Sequence, residues 1–406
     1  MNTKRRYALT RRQFLKLAGG TAAAMAMPAV LSACGATGGG GPIRIGLLLP
    51  YSDIYAVLGE SITEAMQLYF EQNGNELAGR PVEVITEDTE INPDVAQQKA
   101  RKLVEQDEVD LVAGIVSSGV LAGLRDYFDE TQTLLLVANA GANSLSRGAK
   151  TPYIWRTSFT NWMAPYTMGQ YAPALGQRAI ISVPDYAAGE DNINAFTNAF
   201  EANGGQVVAV QRTPFPNMGD PAPFMAELAN AEADMVYSFY SGGAAVTFVK
   251  AYDEFGIKEQ KPLLAAGFMV EEDVLPAQGS AAEGVQSALH WSYVLDNAAN
   301  NQFKEDFRAA SGRDADVFAV QGYDTARVID EMLRRTDGST DVDLMVEALD
   351  GISFDSPRGP FRLDANSQAP EQNMYLRVVQ DVDGTLRNVV EDTLGLIVDP
   401  GDDSQG

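Results

Sequence analysis

Cysteine and histidine are almost missing from this 406-residue chain: there is one of each, Cys34 and His290. A lone thiol has no partner for an internal disulfide, so the folded body is expected to hold together without one. The same scarcity excludes chemistry. No Cys/His group has zinc spacing. No Gly-x-Ser-x-Gly elbow accompanies the histidine, so a Ser-His-Asp hydrolase lacks its parts. The acidic turns at 337–343 and 381–384 do not fill a calcium loop. Pro50-Tyr51-Ser52 follows the first apolar run, where a dinucleotide site would need glycines. No catalysis, cofactor or metal is expected. Basic residues are also few: 30 Lys and Arg stand against 55 Asp and Glu, a formal net charge of −25. Nucleic acid needs Lys and Arg for its phosphates, so it is not expected as a partner. The excess acid reads as a solvated surface that aids solubility, with a salt-rich habitat as the sharper reading. Beyond the first 34 residues no apolar run is long enough to cross a bilayer.

What is present begins with an address. Thr10-Arg11-Arg12-Gln13-Phe14-Leu15-Lys16 matches the twin-arginine export pattern. The apolar stretch after it, Leu17 to Val30, is too short for a comfortable span of about 20 residues, and its flanks are those of a cleaved signal. Leu31-Ser32-Ala33-Cys34 then looks like a lipobox, whose cysteine becomes the lipid-bearing first residue of the mature protein. Residues 1–34 are therefore expected to be signal, 35–42 a Gly-rich flexible tether, and Cys34 a lipid anchor at a membrane surface. Twin-arginine export carries folded proteins, in keeping with a body that needs no disulfide.

In the body, short apolar runs alternate with helical patterns. Ile43 to Leu49 is nearly all apolar, as a strand buried on both faces should be. Pro93 opens a helix as a first-turn proline. The alternation predicts a parallel sheet flanked by helices. It restarts after Thr157, so a second unit of similar size follows the first. The last third reads as helices followed by a hairpin of 359–363 with 374–380. Residues 399–406 are polar and Gly-rich and are expected to be a disordered tail.

Several local signs occur in a telling order: Ile45-Gly46-Leu47-Leu48-Leu49-Pro50, Tyr55 with Leu58-Gly59, Gly114-Ile115-Val116-Ser117-Ser118, Tyr153-Ile154-Trp155-Arg156-Thr157, Ala282-Glu283-Gly284, Gly322-Tyr323-Asp324 and Gly359-Pro360-Phe361. With them the chain resembles, over 43–398, the type I periplasmic binding proteins of the leucine/isoleucine/valine-receptor family. The resemblance implies an α/β fold of two lobes, each a parallel sheet flanked by helices, joined by three hinge crossovers. Lobe one would hold 43–157 and 291–356, and lobe two 158–290 and 357–398. The crossovers would fall near Ser158, near Leu289 to Ser292 and near Pro357 to Gly359. The implied function is capture of a small solute by hinge closure and its delivery to the permease and ATPase subunits of an ABC importer. A monomer fits such motion. The alternative is a ligand sensor of the same fold that feeds a signalling partner.

Ligand should sit at the carboxyl ends of the strands, where open α/β sheets bind. The expected contacts are Tyr55, Ser117, Ser118, Asn139, Ala140, Trp162, Tyr186, Tyr237, Ser241 and Phe268. In the resembled amino-acid receptors, hydroxyls and free backbone N–H groups in these loops hold the ligand carboxylate, and Ser117-Ser118 stand where that motif has them, at a helix start suited to anions. The plain alternative is a helix N-cap. Two features depart from those receptors. Ala138-Asn139-Ala140-Gly141-Ala142 replaces a Ser-Pro-Ala-Ala-Thr-like stretch, with Asn139 or Asn143 left to substitute for the hydroxyl. Phe268 and Met269 stand where an acidic side chain would meet the ammonium, while Glu271 and Glu272 come slightly later. A buried ammonium without a carboxylate is costly. The aromatics Trp162, Tyr186, Tyr237, Tyr240 and Phe268 therefore tilt the expectation from an amino acid towards an aromatic acid or a small amide.

Overall fold

The structure, a computed structural model, describes residues 40–402. The twin-arginine segment, Cys34 and most of the tether lie outside the described residues.

Two sheets organise the chain. The first has the order β2-β3-β1-β4-β5-β6, from β1 (Ile43–Leu49), β2 (Glu76–Leu77), β3 (Arg80–Asp88), β4 (Leu111–Gly114), β5 (Leu135–Val137) and β6 (Ile154–Arg156). All its pairings are parallel except the β2–β3 hairpin. The second runs β12-β13-β14-β11-β10-β9-β7-β8, with one further strand, β15, on β14. Its parallel half comprises β7 (Arg178–Pro184), β8 (Gln206–Thr213), β9 (Met235–Ser238), β10 (Leu263–Ala266) and β11 (Gln286–Leu289). Its antiparallel half comprises β12 (Ser353–Ser356), β13 (Gly359–Asp364), β14 (Ala369–Val382) and β15 (Thr385–Ile397).

The helices cover both faces of each sheet. The longer ones are α1 (Ala56–Gln72), α2 (Pro93–Arg101), α3 (Ser118–Thr131), α4 (Met163–Tyr171), α5 (Ala187–Ala202), α6 (Ala222–Asn230), α7 (Gly242–Glu254), α8 (Ala298–Ser311), α9 (Val317–Arg335) and α10 (Val342–Leu349). Alternation along each strand sorts its side chains between two cores. On β1, Ile45, Leu47 and Leu49 join the core that includes α1 and α9, while Leu48 joins Val112, Leu121 and Phe128 on the other side. On the second sheet Ile181 and Tyr237 face Phe196 and Phe200 of α5, while Ile180 and Val236 face Met225 and Phe248 of α6 and α7. Each such side chain contributes roughly 1.5–3 kcal/mol by leaving water. Side chains fix a few of the helix starts. Asn92 accepts from the Asp94 and Val95 amides ahead of Pro93, and Asp316 accepts from Ala319 at the start of α9.

Lobe one is discontinuous. Its first part, β1 to β6, is completed by α8, α9 and α10. Ser61 of α1 donates to Asp316, and Tyr69 donates to Asp330 of α9 at 2.8 Å. Two boundaries differ from the sequence reading. Ser353–Ser356 pairs with β13, so it belongs to the second sheet and the third crossover comes before 353, not near 357–359. Polar residues do not mark a tail at 399, because Asp399 is buried, pairs with Arg147 at 2.6 Å and accepts from Thr160 at 2.6 Å.

One buried cation of lobe two ties the first crossover to lobe one. Arg358 donates to Asp324 at 2.7 Å, to the Ser158 carbonyl at 2.9 Å and to Gln372 at 2.9 Å. Both Arg358 and Asp324 are 0% exposed, so each charge depends on the other and on these hydrogen bonds.

Candidate functional site

Strand ends from both lobes converge on one slot. Lobe one supplies Tyr55 ahead of α1, Val116 and Ser118 after β4, Asn139 and Gly141 after β5, and Phe318 of α9. The first crossover supplies Phe159 and Asn161. Lobe two supplies Tyr186 and Ala188 after β7, Phe239 and Ser241 after β9, and Phe268 after β10. The walls leave only about 20 Å³ of free space between them, so the slot is narrow and nearly filled by its own side chains. A larger open groove, about 800 Å³, lies elsewhere along Glu60, Glu272, Arg313 and Arg387. Its arginines are spent on acids: Arg387 meets Glu272 at 2.8 Å and Asp314 at 2.5 Å, and Arg313 meets Glu64 at 2.7 Å.

Backbone geometry aims the lobe-one loops at the slot. Gly114 has φ +130° and Ile115 φ +61°. A β-branched residue there is an outlier, and such strain gathers where a loop must be placed for function. A methyl on Gly114 would lie 2.5 Å from the Leu48 carbonyl oxygen, so only glycine fits. The sharp turn carries Val116, Ser117 and Ser118 over the end of β4. Ser117 takes the N-cap position of α3 but makes no side-chain cap bond.

The aromatic wall is continuous. Phe159 lies 4.8 Å from Phe268, and Phe268 stacks with Phe318 at 5.9 Å. Tyr186 is sandwiched between Phe215 at 4.1 Å and Phe239 at 6.4 Å. Across the seam, the Tyr55 hydroxyl lies near the hydroxyls of Ser241 and Tyr186. Burial pushes both phenols above their ordinary range, so they are neutral hydrogen-bonding groups.

Amide positions are fixed from behind. Asn139 donates to Gln321 at 2.6 Å, and Gln321 in turn contacts His290 at 3.3 Å. Burial, with Arg358 and Arg377 nearby, holds His290 well below its usual range, so the ring is neutral. Asn161 donates to Ser118 at 3.1 Å and to Asp191 at 2.8 Å, and Asp191 also accepts from the Asn143 amide at 3.0 Å. Burial raises the Asp191 carboxyl, and those two donors with Arg147 and Arg156 oppose the rise.

The slot's lining residues include no Asp, Glu, Lys, Arg or His. Glu271 is no substitute. It is buried against Arg377 at 2.9 Å and accepts from the Val317 amide at the start of α9. A buried ammonium would therefore find no carboxylate here. A carboxylate would find hydroxyls, amides and the open first turn of α3.

Of the expected contacts, the structure brings together Tyr55, Ser118, Asn139, Tyr186, Ser241 and Phe268. Four stand elsewhere. Tyr237 is buried in the lobe-two core, stacked on Phe196 at 4.1 Å and donating to Asn192 at 2.7 Å. Trp162 stacks on Tyr166 at 4.0 Å. Ala140 packs in the lobe-one core with its amide on the Ile115 carbonyl. Ser117 lies beside the slot but is not part of its wall. Tyr240, also expected in the cleft, is turned into the lobe-two core against Phe248. Sequence reasoning missed Val116, Phe159, Ala188 and Phe318. Phe318 reaches the slot only because α9 returns to lobe one from far along the chain.

Residues 42–384 match the model of the periplasmic binding protein family, and residues 8–28 match the twin-arginine translocation signal. The chain is 33% identical to Leu/Ile/Val-binding protein homolog 6 of Brucella melitensis over 366 residues, 88% of this chain and 93% of that relative. A solute-binding protein of an ABC transporter from R. palustris, solved in complex with benzoate, shares 34% identity at a TM-score of 0.83, over 89% of this chain and 99% of that one. Another, from Rhodopseudomonas palustris BisB5, solved with 3,4-dihydroxybenzoic acid, shares 30% identity at a TM-score of 0.84, again over 89% and 99%. A pair of α/β lobes closing over a slot at their strand ends defines a two-lobed solute receptor. The chain belongs to the periplasmic binding protein family, in its type I leucine/isoleucine/valine branch, and is a solute-binding protein of an ABC transporter.

Proposed function

We propose that the protein captures a small aromatic carboxylate outside the cytoplasm and hands it to an ABC permease. The observation that carries this reading is the wall itself: Phe159, Phe239, Phe268, Phe318, Tyr55 and Tyr186, from both lobes and the first crossover, line one slot with neutral donors and no acid. Two similar proteins were solved with benzoate and a dihydroxybenzoate bound, which supports the reading. The ring binds by burial against the phenylalanines. The carboxylate is met by Ser118 and the first turn of α3, and the phenol hydroxyls of Tyr55 and Tyr186 offer polar contacts at the seam. Ligand bridging both lobes stabilises the closed state by its differential affinity for it. The proposal includes lipid attachment at Cys34 and a monomeric receptor.

The test is a thermal-shift and calorimetry panel of benzoate, 4-hydroxybenzoate, benzamide and leucine. A ligand at one hundred times its Kd adds about 2.7 kcal/mol of stability, so aromatic acids should raise the melting midpoint by a readily measured amount and leucine should not. Leucine as the tightest ligand would overturn the reading.

A further inference from the structure

A hydroxyl can donate or accept, and a carboxylate ligand needs donors. What decides the role of Ser118 is therefore a question of specificity. Asn161 spends its Nδ2 group twice, on Ser118 Oγ at 3.1 Å and on Asp191 Oδ2 at 2.8 Å. Its two amide hydrogens are thereby both used. Asp191 Oδ2 accepts from two N–H groups, the Asn161 amide and the Asn143 backbone at 3.0 Å. That oxygen is an acceptor whichever protonation state the acid holds. It fixes which way the Asn161 amide faces, because the reverse orientation would set Oδ1 against it. With Nδ2 facing Ser118, the serine oxygen accepts, and its own O–H is the group left to offer the slot it lines.

From this chain of contacts we infer that Asp191 and Asn161 are specificity-determining positioning residues: they lock Ser118 as a hydrogen-bond donor and so set the slot for a ligand that accepts there, a charged carboxylate more strongly than a neutral amide carbonyl. The inference rests on the aromatic-carboxylate reading. It also links selectivity to closure. Asp191 stands in the first turns of α5 on lobe two, whereas Asn143 and Ser118 belong to lobe one. The relay is complete only with the lobes together.

Removing the acceptor frees the Asn161 amide to turn its oxygen to Ser118, which then donates to Asn161 and shows the ligand a lone pair. Titration calorimetry of benzoate and benzamide against the full mature protein tests this. Asp191→Ala should weaken benzoate about tenfold, the worth of one hydrogen bond to a charged group, and change benzamide less than twofold. Asp191→Asn keeps a carbonyl oxygen for both donors and should restore benzoate affinity. In a Ser118→Ala background the Asp191→Ala effect on benzoate should fall below twofold, since coupled residues are not additive. Equal losses for both ligands, or a full effect without Ser118, would show a mere closure contact and overturn the inference. Unfolding of Asp191→Ala leaves the question to Asp191→Asn and Asn161→Ala, where the same ratio of benzoate to benzamide affinity decides. Failure of the wild-type protein to bind benzoate sinks the aromatic-carboxylate reading instead.

Discussion

Replacing Gly242 with alanine should separate closure from folding. Gly242 opens α7 on lobe two with φ +56°. A methyl there would lie 2.5 Å from the Ile54 carbonyl oxygen and 3.4 Å from the Tyr55 ring, both on lobe one. Two costs follow, and they fall on different states. The left-handed backbone is strained for alanine whether the lobes are open or shut, by about 1 kcal/mol. The methyl meets Ile54 only when the lobes are shut. The obstacle is backbone, so the seam must part, at a cost of about 1–3 kcal/mol by analogy with overpacked cores. The melting midpoint of the ligand-free protein should therefore drop by about 2 °C. Ligand affinity, measured by calorimetry, should fall about 5- to 150-fold, since only the closed state binds and each 1.4 kcal/mol is tenfold. Undiminished affinity would mean that Gly242 and Ile54 do not meet in the bound state, and the closed seam described above would be wrong.

Other consequences are as direct. Tyr237→Phe removes the hydroxyl on Asn192 from the lobe-two core, so urea denaturation should show a loss of about 1–2 kcal/mol while ligand affinity is unchanged; a weakened affinity would return Tyr237 to the site. Burial holds the Glu271 carboxyl at about 7 despite Arg377 beside it, against 4.5 ordinarily. Between those values the folded chain keeps a proton that the unfolded chain has released, so this group's stability is lost as pH rises through the window. The midpoint of the wild type minus that of Glu271→Gln should accordingly fall from pH 4.5 to 7, and a rising difference would refute the assignment. Arg358→Met leaves Asp324 buried without its cation, with only Ser356 donating to it, which should cost about 3–5 kcal/mol in chemical denaturation; a change under 1 kcal/mol would show the tie to be dispensable.

The lobes were legible because the parallel strands are buried on both faces and read as apolar runs. The same property hid the site. Met235, Val236, Tyr237 and Ser238 are all buried, so nothing in β9 told which face Tyr237 takes; the register of β9 between β7 and β10 sends it to α5. Residues in the loops after strands were easier, since Tyr55, Ser118, Asn139, Tyr186 and Ser241 follow strand ends directly. Phe159 and Phe318 carried no local mark, being a crossover residue and the second residue of a helix. The antiparallel half of the second sheet was partly missed for a different reason. Its long β15 alternates polar and half-buried positions without a run of apolar residues, and β12 is only four residues long.

Neither half of this molecule is written in one stretch of chain. The first sheet waits for α9, more than 200 residues downstream in sequence order, to cover α1, and the second waits for β12 to β15 near the carboxyl end. Arg358, which joins Ser158 to Asp324, is itself made late. A ribosome must therefore release almost the whole polypeptide before either half can be finished, and a chain cut after β11 should yield one sheet without its covering helices, another without its antiparallel half, and no stable fragment.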